Sequence, residues 1–193
     1  LARVPIGSRI IGFTCLFSPS WPLVYDLANA IRKKFPDALF VLGGEHGTAL
    51  PEQVLKSSTF DVIVMGEGEE TFLEIVRCVQ RNQDWKGIDG IAYFESGELQ
   101  RTAARKRVTD IDNFPHPDWD RWSIREYIAM GQVTGINLGR QMPILGSRGC
   151  PYDCKFCSNV GMWTRRYIMR DPQGLVDEMQ HMKEKYDVSG FTF

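Results

Sequence analysis

Three short apolar runs, each followed by a stretch with helical periodicity, fill the first eighty or so positions of this 193-residue chain. The first, RIIGFTCLF over residues 9–17, is rich in β-branched and aromatic side chains and stops at Ser18 and Pro19, the pattern of a buried strand. Leu23, Leu27, Ile31 and Phe35 then recur every four residues, which predicts a helix packed along one stripe. ALFVLGG, residues 38–44, reads as the second strand, and Pro51 stands at a plausible first helical position of PEQVLKS. Residues 61–65 of FDVIVMGEGEETF form the third strand, with Phe72, Val76 and Val79 marking the helix after it. Strands and helices alternating at this spacing predict a parallel sheet with right-handed crossovers. In such sheets ligands bind outside the carboxyl ends of the strands. The loops there are residues 18–20, 43–48 and 66–71.

From Gly87 the texture changes. GIAYFESGELQRTA reads as a hairpin turning at Ser96 and Gly97. IDNFPHPDWDRW is a Pro- and Asp-rich connector without periodicity, which sets a boundary near Pro115. MPILGS, residues 142–147, predicts a strand running into a cysteine-rich loop. Leu175, Met179, Met182 and Tyr186 have helical spacing, and GFTF begins another strand. The expected architecture is α/β in three parts: residues 1–85 as part of a Rossmann-like domain, 86–140 as hairpin and connector, and 141–193 as one β-α-β unit.

Composition narrows the function classes. Lys and Arg number 23 against 24 Asp and Glu, giving a net charge of -1, so nothing draws the chain as a whole toward nucleic acid. Arg101, Arg105, Lys106 and Arg107 form a local basic stretch, read as a solvated hairpin edge, and no nucleic-acid partner is expected. No apolar run approaches the roughly 20 residues that span a bilayer, so no membrane partner is expected. The N-terminal residues carry no apolar core of a signal peptide. The first residue is Leu, and the last ones stop inside a predicted strand, so the sequence is expected to be part of a longer protein. Five cysteines, three of them clustered, fit a reducing, cytoplasmic setting better than a disulfide scaffold. Cys15 and Cys78 are expected in the core.

The cluster is RGCPYDCKFCSN, with Cys150, Cys154 and Cys157 inside eight residues. Thiolates are soft ligands that suit both iron–sulfur clusters and zinc. A structural zinc site takes four protein ligands, with its cysteine pairs normally doubled, and neither a second pair nor a well-placed histidine is legible here. Three thiolates imply a cubane cluster with one iron left open, a position at which a reactant binds. CPYDCKFC resembles the signature loop of the radical S-adenosylmethionine superfamily. That resemblance implies that Cys150, Cys154 and Cys157 hold a 4Fe–4S cluster and that the backbone of Phe156 lies near the adenine of S-adenosylmethionine. It further implies cleavage of S-adenosylmethionine to a 5′-deoxyadenosyl radical, with an electron donor such as flavodoxin or ferredoxin. Arg165, Arg166 and Arg170 follow the loop; the sequence leaves them facing S-adenosylmethionine, substrate or a neighbouring acidic helix.

SRGCPYDCKFCSNVGMW, with RRYIMRDPQGLVDEM downstream, is similar to the subfamily whose barrel follows a cobalamin-binding domain. GFTCLFSPSW, FPDALFVLGGEHGTALPEQVL and FDVIVMGEGEETF resemble the C-terminal part of that domain. The resemblance implies the end of a Rossmann-like cobalamin domain followed by the first β-α-β of a partial (β/α) barrel. It also implies a small-molecule substrate and either methyl transfer or oxidative cyclisation, as in anaerobic magnesium-protoporphyrin ester cyclases. Cobalamin contacts are expected from Ser18, Gly43, Gly44, His46, Thr48, Gly66, Glu67, Gly68 and Glu69. Gly43 and Gly44 would let backbone approach a bulky ligand, and Gly66 and Gly68 would offer amides to a phosphate or amide tail. The Asp-x-His-x-x-Gly segment that ligates cobalt in many such domains is absent from these residues, and His46 is not its substitute. The competing readings are a tRNA-modifying methylthiotransferase and a non-catalytic iron–sulfur or zinc module.

Overall fold

The computed structural model of the protein describes residues 4–131, 136 and 139–193. They divide into two compact units. One holds the residues up to Arg107 together with Asp153–Thr164; the other holds Val108–Tyr152 and Arg165–Phe193.

The first unit is built on a five-stranded sheet of β1 (Ile10–Thr14), β2 (Leu39–Gly43), β3 (Val62–Val64), β4 (Ile91–Glu95) and β5 (Glu98–Arg101), paired in that order. β1, β2 and β3 run parallel, while β4 and β5 are antiparallel to their neighbours. Side chains alternate across the strands, so Phe40, Leu42 and Ile63 face one layer and Val41, Val62 and Val64 the other. The first layer packs on α1 (Trp21–Arg32) and α3 (Pro51–Ser57), through Ala28, Ile31, Val54 and Leu55. The second packs on α4 (Glu69–Arg81), through Phe72, Ile75 and Val79. Both faces are covered, as parallel strands of this composition require.

In this unit the expected strands and helices are present, with three corrections of detail. On α1 the buried stripe is Val24, Ala28 and Ile31, while Leu23 and Leu27 are 74% and 46% exposed. A strict four-residue repeat drifts about 40° around the helix at each step, so it cannot stay on one face. The segment expected as a loop after β2 is itself a short helix, α2 (Glu45–Ala49). The hairpin turns at Ser96 and Gly97, both with positive φ as a two-residue hairpin turn demands. It does not stand apart in a connector, however, because β4 pairs with β3 and extends the sheet.

Beyond β5 come α5 (Ile124–Ala129), β6 (Gln141–Pro143), β7 (Ser147–Arg148), α6 (Asn159–Trp163), β8 (Ile168–Met169), α7 (Pro172–Tyr186) and β9 (Gly190–Thr192). All except α6 lie in the second unit. β6 and β9 pair in parallel with α7 between them in sequence, the expected β-α-β unit. The run expected as one strand over 142–147 instead changes partner, β6 pairing with β9 and β7 with β8. α7 starts with Pro172, and the Asp171 carboxylate accepts the Gly174 amide at 2.8 Å. Its buried face, Met182 and Tyr186, packs with Ile124, Ile128, Met142 and Val188.

Candidate functional site

In the first unit the loops at the carboxyl ends of β1 and β2 are joined backbone to backbone. Cys15 N–H donates to the Gly43 carbonyl at 3.0 Å, and His46 N–H donates to the Cys15 carbonyl at 3.1 Å. Gly44 has φ +96°, and a Cβ there would lie 2.6 Å from the Cys15 carbonyl oxygen. The backbone of Cys15, just past β1, is enough to demand this glycine. Gly43 is different, since a Cβ there would meet nothing nearer than the Phe13 carbonyl at 3.9 Å.

His46 is buried at 8% exposure on α2, its Nδ1 lies 2.9 Å from Ser18 Oγ, and its ring centroid is 4.8 Å from that of Trp21. Burial lowers its pKa, which favours the neutral imidazole at this position. Thr48 Oγ1 donates to the Gly44 carbonyl at 2.9 Å and accepts the Gly66 amide at 3.1 Å. The Gly66 amide is thus engaged with Thr48 and is not the free donor that the sequence suggested. Gly68 occupies the N-cap position of α4, whose first turn carries Glu69 and Glu70. Glu45 and Glu67 lie in the same loops, with Glu67 buried against Arg107.

The segment Asp153–Thr164 belongs to this unit and carries two of the clustered cysteines. Cys157 N–H donates to the Cys154 carbonyl at 3.0 Å, closing a turn on which Cys154, Phe156 and Cys157 are all exposed. Ser158 Oγ donates to Glu45 Oε2 at 2.6 Å. At the far end of α6, Arg107 Nη1 donates to Thr164 Oγ1 at 3.1 Å, and Arg107 Nε lies 3.8 Å from Glu67 Oε1. No sequence signal marks Glu45 or Ser158, and Arg107 is not the solvated edge residue expected. The Arg105 and Arg107 side chains are 17% and 11% exposed, and Arg105 pairs with Glu74 at 2.7 Å and Glu70 at 3.3 Å.

In the second unit Cys150 is partly exposed, just after β7. Arg165 Nε donates to the Pro151 carbonyl at 3.3 Å. Arg170 turns to α7, where it pairs with Glu178, and it also contacts Asp112 at 3.4 Å and the Leu145 carbonyl at 3.2 Å. Of the three destinations left open for it, the acidic helix is the one observed. Cys15 is buried as expected, with its thiol pKa raised by burial. None of the five cysteines is in a disulfide. Among the described residues no three His, Cys, Asp or Glu side chains are gathered to hold an ion. The donor set itself, three soft thiols within one short loop, has the chemistry that an iron–sulfur cluster requires.

Comparison with known proteins places this geometry. Residues 6–76 match the B12 binding domain family. The chain is 38% identical over 192 residues to the anaerobic magnesium-protoporphyrin IX monomethyl ester cyclase of Rubrivivax gelatinosus, covering 94% of this chain and 32% of that protein. Its fold resembles that of the cobalamin-dependent S-adenosylmethionine radical enzyme OxsB, solved with aqua-cobalamin and S-adenosylmethionine bound. The TM-score is 0.73 at 20% identity, over 93% of this chain and 24% of that one. It also resembles the radical S-adenosylmethionine methyltransferase TsrM from Kitasatospora setae, solved with cobalamin and a [4Fe-4S] cluster. There the TM-score is 0.66 at 19% identity, over 92% of this chain and 35% of that one. The chain thus spans about a third or less of each of these proteins. No helix among the described residues is long and apolar enough to cross a membrane.

Proposed function

We propose that the chain belongs with the cobalamin-dependent radical S-adenosylmethionine enzymes to which it is similar, binding cobalamin in its first unit and holding a 4Fe–4S cluster through Cys150, Cys154 and Cys157. The observation that carries this reading is the joint presence, in one chain, of a match to the B12 binding domain family and a Cys-x3-Cys-x2-Cys run outside any disulfide. When bound and reduced, the cluster supplies the single electron that cleaves S-adenosylmethionine. The reaction served is radical chemistry on an unactivated carbon of a small molecule, by methyl transfer or oxidative cyclisation. The setting is the cytoplasm, with flavodoxin or ferredoxin as electron donor.

The residues present have definable tasks in this scheme. The turn closed by Cys157 N–H on the Cys154 carbonyl leaves both thiols open to solvent, ready for a metal to take up. Phe156 is 93% exposed, and its backbone is the part of the loop assigned to the adenine of S-adenosylmethionine. In the first unit Ser18, His46 and Thr48 provide neutral polar groups, and the Glu45 carboxylate, which also accepts Ser158, provides an acceptor for amide N–H groups. The open space over Gly43 supports close approach of a bulky ring at that point.

The test is product analysis on the full-length protein after anaerobic reconstitution with iron and sulfide and reduction with dithionite. We expect 5′-deoxyadenosine and methionine from S-adenosylmethionine, with formation abolished in Cys157→Ala. A reconstituted wild-type protein that leaves S-adenosylmethionine intact would overturn the assignment.

A further inference from the structure

α6 has five residues, far too few to hold a helix without tertiary support. Its position is set by its two ends. At the first, Ser158 donates to Glu45 Oε2 at 2.6 Å. At the second, Arg107 donates to Thr164 Oγ1 at 3.1 Å, faces Glu67 at 3.8 Å, and has its guanidinium carbon 6.0 Å from the centre of the Trp163 ring. Thr164 has φ +60° and ψ -178°, a conformation that a β-branched residue keeps only where its surroundings hold it. The Glu67 and Arg107 side chains are 9% and 11% exposed, so this pair is poorly screened by salt.

Glu45 opens α2 beside His46, and Glu67 follows Gly66, whose amide is bonded to Thr48. The two acidic anchors of α6 therefore come one from each of the loops after β2 and β3. Ser158, in turn, directly follows Cys157. We propose that Ser158 and Arg107 are positioning residues that couple the Cys154–Cys157 turn to residues 43–48 and 66–71, so that a ligand in those loops and a metal on that turn sense one another. This inference rests on the cofactor reading above. Because the coupling is a free energy, it is reciprocal: a cluster on the cysteines alters cobalamin affinity by the factor by which cobalamin alters the retention of the cluster.

The experiment is a hydroxocobalamin titration of the full-length protein by absorbance, in its cluster-free form and after anaerobic reconstitution with iron and sulfide. We expect the two dissociation constants to differ by about tenfold. In Ser158→Ala the difference shrinks to about twofold or less, whereas Ser158→Thr, which keeps the hydroxyl, retains it. A purely structural role would shift both forms equally and leave the ratio unchanged. Equal affinities in the two wild-type forms, or an undiminished ratio in Ser158→Ala, would overturn the coupling and leave the proposed function standing. A wild-type protein that takes up neither hydroxocobalamin nor iron would overturn both.

Discussion

The Thr48 hydroxyl accepts the Gly66 amide at 3.1 Å while donating to the Gly44 carbonyl at 2.9 Å, and so ties the loop after β3 to the one after β2. Thr48→Val keeps the shape but strands the Gly66 N–H. We expect a loss of about 1–3 kcal/mol in unfolding free energy, with Thr48→Ser within about 0.5 kcal/mol of the parent. Urea unfolding followed by tryptophan fluorescence measures both. Equal midpoints for Thr48→Val and the parent would show that the bond contributes nothing.

His46 gives the fold a pH dependence. Burial holds its imidazole below the ordinary value of 6.5, so in mildly acidic solution the unfolded chain binds a proton that the folded one refuses. The associated stability is complete above the unfolded value and is lost as pH falls through it toward the lowered folded value. The urea midpoint should therefore drop between about pH 7.5 and about pH 5.5, and the drop should be shallower in His46→Asn. Parallel profiles for the two proteins would remove His46 from this role.

Gly44→Ala should be among the most damaging single changes in the first unit. The added Cβ would sit 2.6 Å from the Cys15 carbonyl oxygen, at a backbone φ of +96°. A loss of at least about 2 kcal/mol is expected. Gly43→Ala, with only the Phe13 carbonyl at 3.9 Å, should fold normally. Under the proposed function it should weaken hydroxocobalamin binding instead. Comparing unfolding midpoints and absorbance titrations of the two variants separates a folding glycine from a ligand-facing one.

Arg170 and Glu178 form a buried pair, 11% and 4% exposed. Removing Glu178 leaves Arg170 with only the longer contact to Asp112, at 3.4 Å, so Glu178→Ala should cost up to about 3–5 kcal/mol. Circular dichroism melting of the variant is the check, and an unchanged melting temperature would show that Asp112 alone can hold Arg170. The same geometry predicts that Arg170 supports the second unit rather than S-adenosylmethionine.

Much of the fold is legible in the amino-acid sequence itself. Phe72 and Val79 share a 3.6-residue stripe and do face the sheet, and Ser96-Gly97 is turn chemistry that admits few alternatives. Leu23 and Leu27 mislead because hydrophobicity alone cannot say which of two adjacent stripes finds a sheet. At Gly44 the residue type signals a constraint, but its cause, the Cys15 backbone just past β1, is visible only once β1 and β2 are paired. The links from Ser158 to Glu45 and from Thr164 to Arg107 span 113 and 57 positions. No local periodicity encodes a contact at such separation, so the tie between the cysteine segment and the sheet loops has no sequence signal.

The most direct test of the proposed enzyme class is the electron paramagnetic resonance spectrum of the reduced, reconstituted full-length protein, with and without S-adenosylmethionine. A cubane signal that changes when S-adenosylmethionine is added, and that is lost in Cys154→Ala, is the expected result. A colourless protein that retains zinc and shows no such signal would contradict it and leave a structural metal site.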